Sequence, residues 1–439
     1  MQLTEYKIYC KIKLPIMYRM IVLKIKMIFK ILCGILFSVL LIANMCCCNF
    51  VDGIIFDESI SQTSFEQTEP STQPAKKRDV DTSYGYKHLS SESLKNVYVM
   101  IDEYVEDLNK DPICIEEILS EMMLCEVIEA YRNDHPEVFW LTSNFEYVVS
   151  YSSTFLYLDY SVEADEFDDM KAKFDKTVQS AVESAPQNAS QYELELYAND
   201  YIVDNCEYDY EAVETEGIIN NENDAYGVFV DKKAVCEGYA RAFQLLCNRL
   251  GIDCVSVTGE GDGEPHQWNC ALIDGEWYCV DVTWNDSSED CQFPNYNYFN
   301  LPADKFSELH KPAPLYSEIS YDEYAESNSY YNVFVPECDG EKYYYYSYSC
   351  VTFDDYSDGA EIAESIAKAA ADGEEYYRFV IGDELDFVST ADDIVYNGYI
   401  YEWISNANFT NGYDPELNGE CYVYYDEEFR VIIVELDYI

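Results

Sequence analysis

The spacing of apolar and polar positions predicts alternating helices and strands in the first folded part of the chain. LSSESLKNVYVMIDEYVEDL has apolar residues every three or four positions, which predicts a helix with one buried face. The residues of that face are Leu94, Val97, Ile101 and Val105. ICIEEILSEMMLCEVIEAY predicts a second helix, NFEYVVSYSSTFLYLDYS alternates as a β-hairpin does, and residues 166–184 are again helical. Residues 89–190 are therefore predicted to form a mixed α/β region.

The middle of the chain predicts two helices followed by three strands. YELELYANDYIVDNCEYDY, residues 192–210, predicts a helix with a face of Leu194, Tyr197, Tyr201 and either Val203 or Asp204. After an acidic loop at 211–224 comes a second helix, which ends before Gly251. Its stripe consists of Cys236, Ala240, Phe243, Cys247 and Leu250. CVSVTGEG, HQWNCALI and WYCVDVTW then predict three strands.

From about residue 316 the composition shifts to tyrosine and acidic residues. The predicted order is strand (YYNVFV), strand (YYYYSYSCVTF), helix (GAEIAESIAKAAADG), strand (YYRFVIG), a helix near 390–407, and strands CYVYYD and FRVIIVELDYI. Residues 313–439 are therefore predicted to be a small, acidic, Tyr-rich α+β domain. The run YYYYSY could stack carbohydrate or peptide, but an aromatic strand packed on one face is the favoured interpretation.

The N-terminus predicts export. Seven Lys and Arg residues within positions 1–50 precede or flank the apolar run ILCGILFSVLLIANM, which is short for a membrane span but typical of a signal peptide. Residues 1–48 are predicted to be a signal peptide or an uncleaved membrane anchor, and Cys46 is the candidate lipid attachment site of a lipoprotein signal. Residues 49–88 are predicted to be a flexible polar linker. The positive residues predict that the rest lies outside, at the cell surface or in the extracellular space.

The charge of the chain limits its partners. There are 84 acidic residues against 27 Lys and Arg, a formal net charge of −57. Such a surface repels nucleic acid phosphates and anionic membrane faces, so no nucleic acid partner is expected, and membrane contact is expected only through the N-terminal anchor. Solubility outside the cell is the favoured reason for this charge; capture of basic peptides or polyamines is the alternative.

The cysteines and histidines do not predict a metal site or a cofactor. Most of the 17 cysteines lie in apolar strand or helix patterns, as Cys254 does in IDCVSV, where a reduced cysteine acts as a small hydrophobe. The four histidines, His88, His135, His266 and His310, are far apart and lack metal-ligand spacing. Neither a phosphate-binding glycine loop nor an EF-hand pattern occurs. His135, in DHPEVFW, is expected to be structural.

The stretch GEPHQWNCALIDGEWYCVDVTWND predicts a hairpin with ionisable residues in its walls. If Asp274-Gly275 is a two-residue turn, Cys270 lies opposite Cys279, Trp268 opposite Asp281, and His266 opposite Thr283. His266 and Asp281 are then diagonal neighbours about 7 Å apart. The other face carries apolar residues for packing: Ala271, Ile273, Val280 and Val282.

Cys236 is the candidate third member of this group. Free backbone N–H groups and the dipole at a helix start lower the pKa of a thiol, and an adjacent imidazole activates it as a nucleophile. Taken singly, each residue has a structural explanation: a buried thiol, a partly buried histidine, a carboxylate that caps a loop. The order of Cys at a helix start, His in one strand and Asp in the next favours the catalytic interpretation.

At these residues the sequence resembles a family. VCEGYARAF, HQWN and VDVTWND resemble the transglutaminase-like superfamily, in its bacterial secreted branch, over about residues 192–312. The resemblance implies an α+β fold with a papain-like core, in which the helix that carries Cys236 packs on an antiparallel sheet. Residues 191–312 would be this catalytic domain, between the mixed α/β region and the C-terminal α+β domain. Ala234 and Gln267 depart from the usual motif, which puts substrate contacts in doubt rather than the triad.

The resemblance implies an acyl-transfer enzyme without a cofactor. Cys236 would be the nucleophile, His266 the general base and acid, and Asp281 the orienting carboxylate. The Cys236 backbone N–H would stabilise the oxyanion together with a second donor, for which Trp268 and Tyr226 are candidates. Trp268, Asn269 and Trp284 are expected to frame the site.

Two reactions and one non-catalytic role remain open at the level of sequence. Water as acceptor gives a cysteine peptidase or amidase, and a Lys amine gives a cross-linking, transglutaminase-type enzyme; protein or peptide substrates, including Lys-rich ones, fit either. Hydrolysis is favoured because GEGDGEP and NDSSEDCQF, which flank the predicted site, are hydrophilic, whereas a cross-linker must exclude water. The alternative is a catalytically inactive surface-binding module of the same fold.

Overall fold

Helices alternate with short sheets along the part of the chain that the structure describes. The computed structural model describes residues 83–214, 221–286, 293, 295–326 and 330–439. The signal peptide or anchor predicted for residues 1–48, with Cys46, lies outside those ranges. Within them, none of the helices has both the length and the apolar composition needed to cross a membrane.

The helices and strands of the described residues have the following bounds. The α-helices are α1 (Tyr84–His88), α2 (Glu92–Val105), α3 (Glu121–Asp134), α4 (Ala164–Ser184), α5 (Gln191–Asn205), α6 (Tyr210–Glu214), α7 (Cys236–Arg249), α8 (Val282–Asn285), α9 (Ala303–Leu309), α10 (Tyr321–Glu326), α11 (Tyr345–Ser349), α12 (Gly359–Asp372), α13 (Phe387–Tyr396) and α14 (Tyr399–Thr410). The strands are β1 (Ile113–Ile115), β2 (Leu141–Ser150), β3 (Ser153–Tyr160), β4 (Glu207–Tyr208), β5 (Lys233–Ala234), β6 (Cys254–Gly261), β7 (Glu264–Ile273), β8 (Glu276–Val280), β9 (Phe299–Leu301), β10 (His310–Pro312), β11 (Val351–Phe353), β12 (Tyr376–Ile381), β13 (Val423–Asp426) and β14 (Val431–Glu435).

The N-terminal region combines helices with a three-stranded sheet of order β1-β3-β2. The predicted hairpin is confirmed as β2 and β3, and the predicted first helix is confirmed as α2 with its expected face buried. The second predicted helix is wrong in its first part. Ile113 and Ile115 are buried on either side of the exposed Cys114 and pair with β3, so this part has the period of a strand. The end of the predicted linker forms α1, where the backbone N–H of Gly85 donates to Asp134 Oδ1 at 2.7 Å.

The central sheet carries the predicted Cys helix. Its five strands have the order β10-β6-β7-β8-β9 and are antiparallel to their neighbours. Helix α7 packs on β7, where the buried Asn269 donates from Nδ2 to the carbonyl oxygen of Ala240 at 2.9 Å. Gly251, at a φ of +86°, follows the end of α7, as the sequence predicts. A helix packed on an antiparallel sheet is the α+β arrangement expected of a papain-like core.

Helix α5 buries a different face from the predicted one. The buried residues are Tyr192, Glu195, Ala198, Asn199 and Ile202. Two of them are polar and hydrogen-bonded to residues of β9 and α8: Glu195 Oε2 accepts from Asn300 at 2.8 Å, and Asn199 Oδ1 accepts from Asn285 at 2.9 Å. Burial raises the pKa of Glu195 to about 8. A stripe of apolar residues cannot predict a face that is buried through polar pairs.

The C-terminal part forms a four-stranded sheet of order β11-β12-β14-β13 with its own buried core between the sheet and α12 to α14. The predicted strand YYNVFV is instead an irregular segment with one isolated bridge, between Leu315 and Asn332. YYYYSYSCVTF is also not one strand, because α11 precedes the short β11. Tyr343 and Tyr346 are buried, which agrees with packing rather than with an exposed stacking surface. The helix expected near 390–407 is two helices, separated at Gly398, whose φ is +84°.

A buried ionic cluster joins the N-terminal region to α7. Arg132 of α3 places Nη2 3.3 Å from Glu237 Oε1, and Arg241 of α7 places Nη2 3.1 Å from the same oxygen. Arg241 Nη1 also donates to the carbonyl oxygen of Arg132 at 2.9 Å, and Asp224 Oδ1 lies 3.9 Å from both guanidinium groups. Because Glu237 follows Cys236 directly in the chain, the cluster fixes the first turn of α7.

Replacing Arg132 by Met should destabilise the protein by about 3 kcal/mol, because partly buried Glu237 would lose one of its two cations. The free energy of unfolding in urea measures the loss. Lys171→Met is the matched control: it breaks the exposed 2.8 Å ion pair between Lys171 and Asp175. This control should change the same free energy by less than about 0.5 kcal/mol. Equal losses in the two variants would contradict a supporting role for the cluster.

Candidate active site

Cys236 is the first residue of α7, as the sequence predicts. The backbone N–H of Val235, just before it, donates to the carbonyl oxygen of Glu222 at 2.9 Å, which holds the entry to the helix. Gly238 is needed in this turn, because a Cβ there would collide with the Glu222 carbonyl oxygen. The thiol therefore lies at the positive end of a fourteen-residue helix, near free backbone N–H groups.

The hairpin that follows has the predicted register. Cys270 pairs with Cys279 and Ile273 with Glu276, and Asp274 and Gly275 both have positive φ angles, of 51° and 93°, as a type I′ turn requires. The four residues of the predicted apolar face are all buried in the main core, although Val282 lies in α8 and not in the second strand.

The register does not continue to the ionisable residues. Strand β8 ends at Val280, and Asp281 is the N-cap of α8, where its Oδ1 accepts from the backbone N–H of Trp284 at 3.1 Å. Trp268 opposite Asp281 and His266 opposite Thr283 are therefore not pairs of the ladder, because the chain turns into a helix there. The turn brings the carboxylate to the histidine directly: His266 Nε2 lies 2.7 Å from Asp281 Oδ2.

Asp281 is fully buried and receives hydrogen bonds from two histidines. Its Oδ2 accepts from His266 and also from His310 Nε2, at 2.9 Å. An ionised carboxylate only accepts, so both Nε2 atoms carry the proton in this arrangement. Burial alone would raise the pKa of Asp281, but the charges and hydrogen bonds of the two histidines outweigh burial and hold that pKa well below its usual range.

The same contacts act on His266 in the opposite direction. Burial lowers its pKa, but the charge of Asp281, the hydrogen bond to Asp281 and the interaction with the Cys236 thiol outweigh burial and raise the pKa of His266 to about 10. The imidazole is thus hydrogen-bonded to a carboxylate on one side and interacts with a thiol on the other. This is the arrangement that activates a cysteine nucleophile.

Sequence reasoning missed two residues of the site, His310 and Tyr208. His310 lies 29 residues beyond Asp281, at the start of β10, and only the pairing of β10 with β6 brings it to the carboxylate. Tyr208 lies in β4, beside Ala234 of β5, two residues before Cys236. Burial and the nearby Cys236, Tyr210 and Asp281 raise the pKa of Tyr208, while a hydrogen bond from the Cys236 backbone lowers it.

The two predicted tryptophans contact the histidines. The ring of Trp284 is 5.2 Å from that of His266 and 4.3 Å from that of His310, centre to centre. The ring of Trp268 is 6.2 Å from that of His266, with an interplanar angle of 27°. Both rings therefore pack against the imidazoles.

The other two predicted site residues, Asn269 and Tyr226, have different surroundings. Asn269 is fully buried and bonded to α7, so it holds the helix against β7 and does not face the thiol. Tyr226 packs its ring against Phe139 at 4.7 Å and near Phe174 at 6.0 Å, in the core shared with the N-terminal region. Its predicted place as an oxyanion donor has no support there.

A cavity of about 300 Å³ lies between the N-terminal region, the first turn of α7 and strands β6 and β7. Glu237 and Gln267, the chain neighbours of Cys236 and His266, both line it, together with Arg132 and several tyrosines of the segment 316–331. Gln267 is one of the two departures from the family motif, and the expectation that the departure concerns substrate contacts stays a prediction.

His266, Asp281 and His310 could in principle hold a metal ion, since their donor atoms all lie within 4.8 Å of one another. The direct hydrogen bonds argue otherwise. Each histidine Nε2 is already within hydrogen-bond distance of the same carboxylate oxygen. A cation would have to replace both protons, so the arrangement serves to orient imidazoles.

The raised pKa of His266 predicts a titration that depends on Asp281. In the native protein the His266 imidazole should stay protonated up to about pH 10, so the stability it contributes is complete below its ordinary pKa and is lost as the pH rises through about 10. In Asp281→Asn, which keeps the helix cap, the pKa should fall to about 6.5 or below. NMR titration of the imidazole carbons measures this, because the sequence has only 4 histidines to assign. His88, which is exposed, is the internal control, and an unchanged His266 titration in Asp281→Asn would contradict the pairing.

Comparison with known proteins places the central segment in a family. Residues 177–282 match the family model of the transglutaminase-like superfamily. The kyphoscoliosis peptidase of Mus musculus is 26% identical over 113 residues, which are 22% of this chain and 16% of that protein. The human protein of the same name (Homo sapiens) is 31% identical over 71 residues, 13% of this chain and 11% of that protein. The chain thus spans less than a fifth of the length of these relatives.

Two solved structures are also similar over part of their length. One is the crystal structure of a TGase, with 16% identity, a TM-score of 0.25, and coverage of 47% of this chain and 60% of that one. The other is a proposed cysteine protease from Cytophaga hutchinsonii, with 17% identity, a TM-score of 0.21, and coverage of 32% and 61%. The segment of this chain that matches the transglutaminase-like superfamily, residues 177–282, contains Cys236, His266 and Asp281.

Proposed function

We propose that the protein is a cysteine-dependent acyl-transfer enzyme that acts on amide bonds of proteins or peptides. The observation that carries the proposal is the 2.7 Å contact between His266 and the fully buried Asp281, with Cys236 interacting with the same imidazole. Burying an ionised carboxylate costs several kcal/mol of desolvation free energy. A function for the carboxylate, to position an imidazole beside the thiol at the start of a helix, would explain why it is retained.

The chemistry follows from these positions. The Cys236 sulfur would attack the amide carbonyl to form a C–S bond, and the C–N bond would break as protonated His266 gives its proton to the leaving amine. In the second half, neutral His266 would take a proton from the acceptor, which attacks the thioester and releases Cys236. Asp281 would fix the tautomer and stabilise the imidazolium, as His310 and the α8 cap hold Asp281 itself.

The oxyanion would be stabilised by the backbone N–H of Cys236 and by a second donor. Trp268 remains the candidate from sequence. Tyr208 is an additional candidate, because it interacts with the Cys236 backbone at the place where the oxyanion would form. A substrate carbonyl would have to take over that backbone N–H from the phenol oxygen.

Hydrolysis is the favoured second half-reaction. Residues 262–265, the end of the GEGDGEP loop, are exposed and lead directly into His266, so water has a short path to the imidazole. A cross-linking enzyme would need to keep water from the thioester while a Lys amine enters. The proposal includes export and N-terminal anchoring, which the basic and apolar N-terminus supports.

Selective alkylation tests whether Cys236 is an activated nucleophile. At pH 7 iodoacetamide should modify Cys236 on the order of tenfold faster than Cys114, even though Cys114 is exposed and Cys236 only partly so. Peptide mapping by mass spectrometry gives both rates. In His266→Gln the rate at Cys236 should fall to that of Cys114, because the imidazole is lost while the thiol keeps its place. Equal rates in the native protein would favour the non-catalytic binding module.

A peptide library combined with a labelled primary amine tests the reaction itself. Hydrolysis predicts new peptide termini or deamidated side chains with little amine adduct, and Cys236→Ala should reduce product formation to background, a loss of at least about 1000-fold. Mass spectrometry scores both products in one incubation. Amine incorporation that depends on Cys236 and exceeds cleavage would replace the hydrolase by a transglutaminase. Absence of either product, together with retained peptide binding, would favour the binding module.

A further inference from the structure

Three thiols converge at the β7–β8 hairpin, although no short cysteine motif joins them in the sequence. The Sγ atoms of Cys270, Cys279 and Cys338 all lie within 4.8 Å of one another. Cys270 is buried, and the other two are partly exposed. Each of the 11 cysteines within the described residues is a free thiol. In a chain with this many separate thiols, three that meet at one point require an explanation.

The fold holds these thiols in place from both sides. Cys270 and Cys279 are opposite residues of the β7–β8 hairpin, so their spacing is fixed by the ladder. Cys338 lies in an irregular segment, and contacts on both sides of Cys338 hold this segment against the rest of the protein. Phe334 stacks on His88 at 4.1 Å, and the backbone N–H of Gly340 donates to the carbonyl oxygen of Trp277 at 3.1 Å. The three sulfurs therefore belong to a site that the fold has already organised.

Neither of the ordinary uses of cysteine accounts for all three. If the three cysteines were only apolar packing residues, contacts between their sulfurs would give no advantage over contacts with the carbon atoms of other side chains. A disulfide between Cys270 and Cys279 would fit opposite residues of an antiparallel pair. It would leave Cys338 without a reason to be held beside the other two.

We propose that Cys270, Cys279 and Cys338 bind a thiophilic divalent metal ion, of which Zn²⁺ is the natural probe. In a tetrahedral site, three sulfurs that are each about 2.3 Å from one ion lie roughly 4 Å from one another. The Sγ atoms of these three cysteines lie within 4.8 Å of one another, which agrees with that spacing. The surroundings are apolar: Val257, Trp268 and Leu301 belong to the same buried cluster. A divalent ion leaves one excess negative charge on three thiolates in this environment, whereas a monovalent ion such as Cu⁺ would leave two.

The fourth position of a tetrahedral ion would be taken by water, which the partial exposure of Cys279 and Cys338 allows. Binding would deprotonate the three thiols and release up to three protons. The bound ion would fasten the 330–344 segment to β8, the strand that ends at Val280, just before Asp281. The site is separate from the chemistry proposed at Cys236 and does not depend on it.

Metal titration of the reduced, full-length protein tests the proposal. One Zn²⁺ per chain should bind, and Co²⁺ in its place should give the intense near-ultraviolet sulfur-to-metal charge-transfer absorption of thiolate ligands. Cys338→Ser should weaken Zn²⁺ binding by more than about 100-fold, as expected when a ligand itself is lost. Cys350→Ser, which removes another partly exposed thiol nearby in the chain, should leave binding unchanged, and so should Cys236→Ala. Zn²⁺ should also raise the thermal midpoint of the native protein but not that of Cys338→Ser.

Three outcomes would overturn the proposal. One is Zn²⁺ binding that survives Cys338→Ser with unchanged affinity, which would assign the ion to His266, Asp281 and His310. Another is a Cys270–Cys279 disulfide in the mass spectrum of the non-reduced protein together with no metal uptake after reduction. The third is uptake of Cu⁺ without uptake of Zn²⁺. If Cys338→Ser fails to fold, judged by circular dichroism, Cys279→Ala supplies the same comparison.

Discussion

The burial of one carboxylate, that of Asp281, is the constraint on which the site depends. Asp281 has no solvent exposure, and a buried, ionised carboxylate is tolerated only if nearly all the lone pairs of its oxygens accept hydrogen bonds. Asp281 satisfies them from three segments: His266 on β7, His310 on β10 and the backbone of Trp284 in α8. Its own backbone N–H donates to the carbonyl oxygen of Tyr298 at 3.0 Å, which adds a fourth segment. The sheet order β10-β6-β7-β8 is thus the arrangement that surrounds this carboxylate with donors.

The thiol side of the site is fixed by a separate set of charges. Glu237, next to Cys236, is held by Arg132 from the N-terminal region and by Arg241 one turn further along α7. Burial would raise the pKa of Glu237, but the two guanidinium groups outweigh burial and lower it. The N-terminal region is therefore more than a neighbour of α7, because it supplies a cation to the helix turn that carries Cys236.

Local sequence signals could predict much of this site, and contacts between distant segments could not be predicted. The Asp274-Gly275 turn fixes the hairpin register by backbone conformation alone, so the pairing of Cys270 with Cys279 could be predicted from the sequence. The meeting of His266 with Asp281 was predicted for a reason that proved incomplete, since α8 rather than a continued strand delivers the carboxylate. His310 could not be placed, because its position depends on β10 returning to the edge of the sheet. The prediction of the buried face of α5 was wrong because its buried Glu195 and Asn199 are hydrogen-bonded to residues 105 and 86 positions away.

The large negative charge of the chain says little about the reaction at the site itself. Near the thiol, the charges of Glu237 and Asp224 are opposed by those of Arg132 and Arg241, and Asp281 is opposed by His266. The excess negative charge of −57 therefore lies mainly on other parts of the surface. Its field is screened over about 8–10 Å at physiological salt, so it can concentrate basic proteins around the molecule but cannot select a Lys amine over water at the thioester. Any selection between the two acceptors would depend on contacts at the thioester itself and not on the net charge.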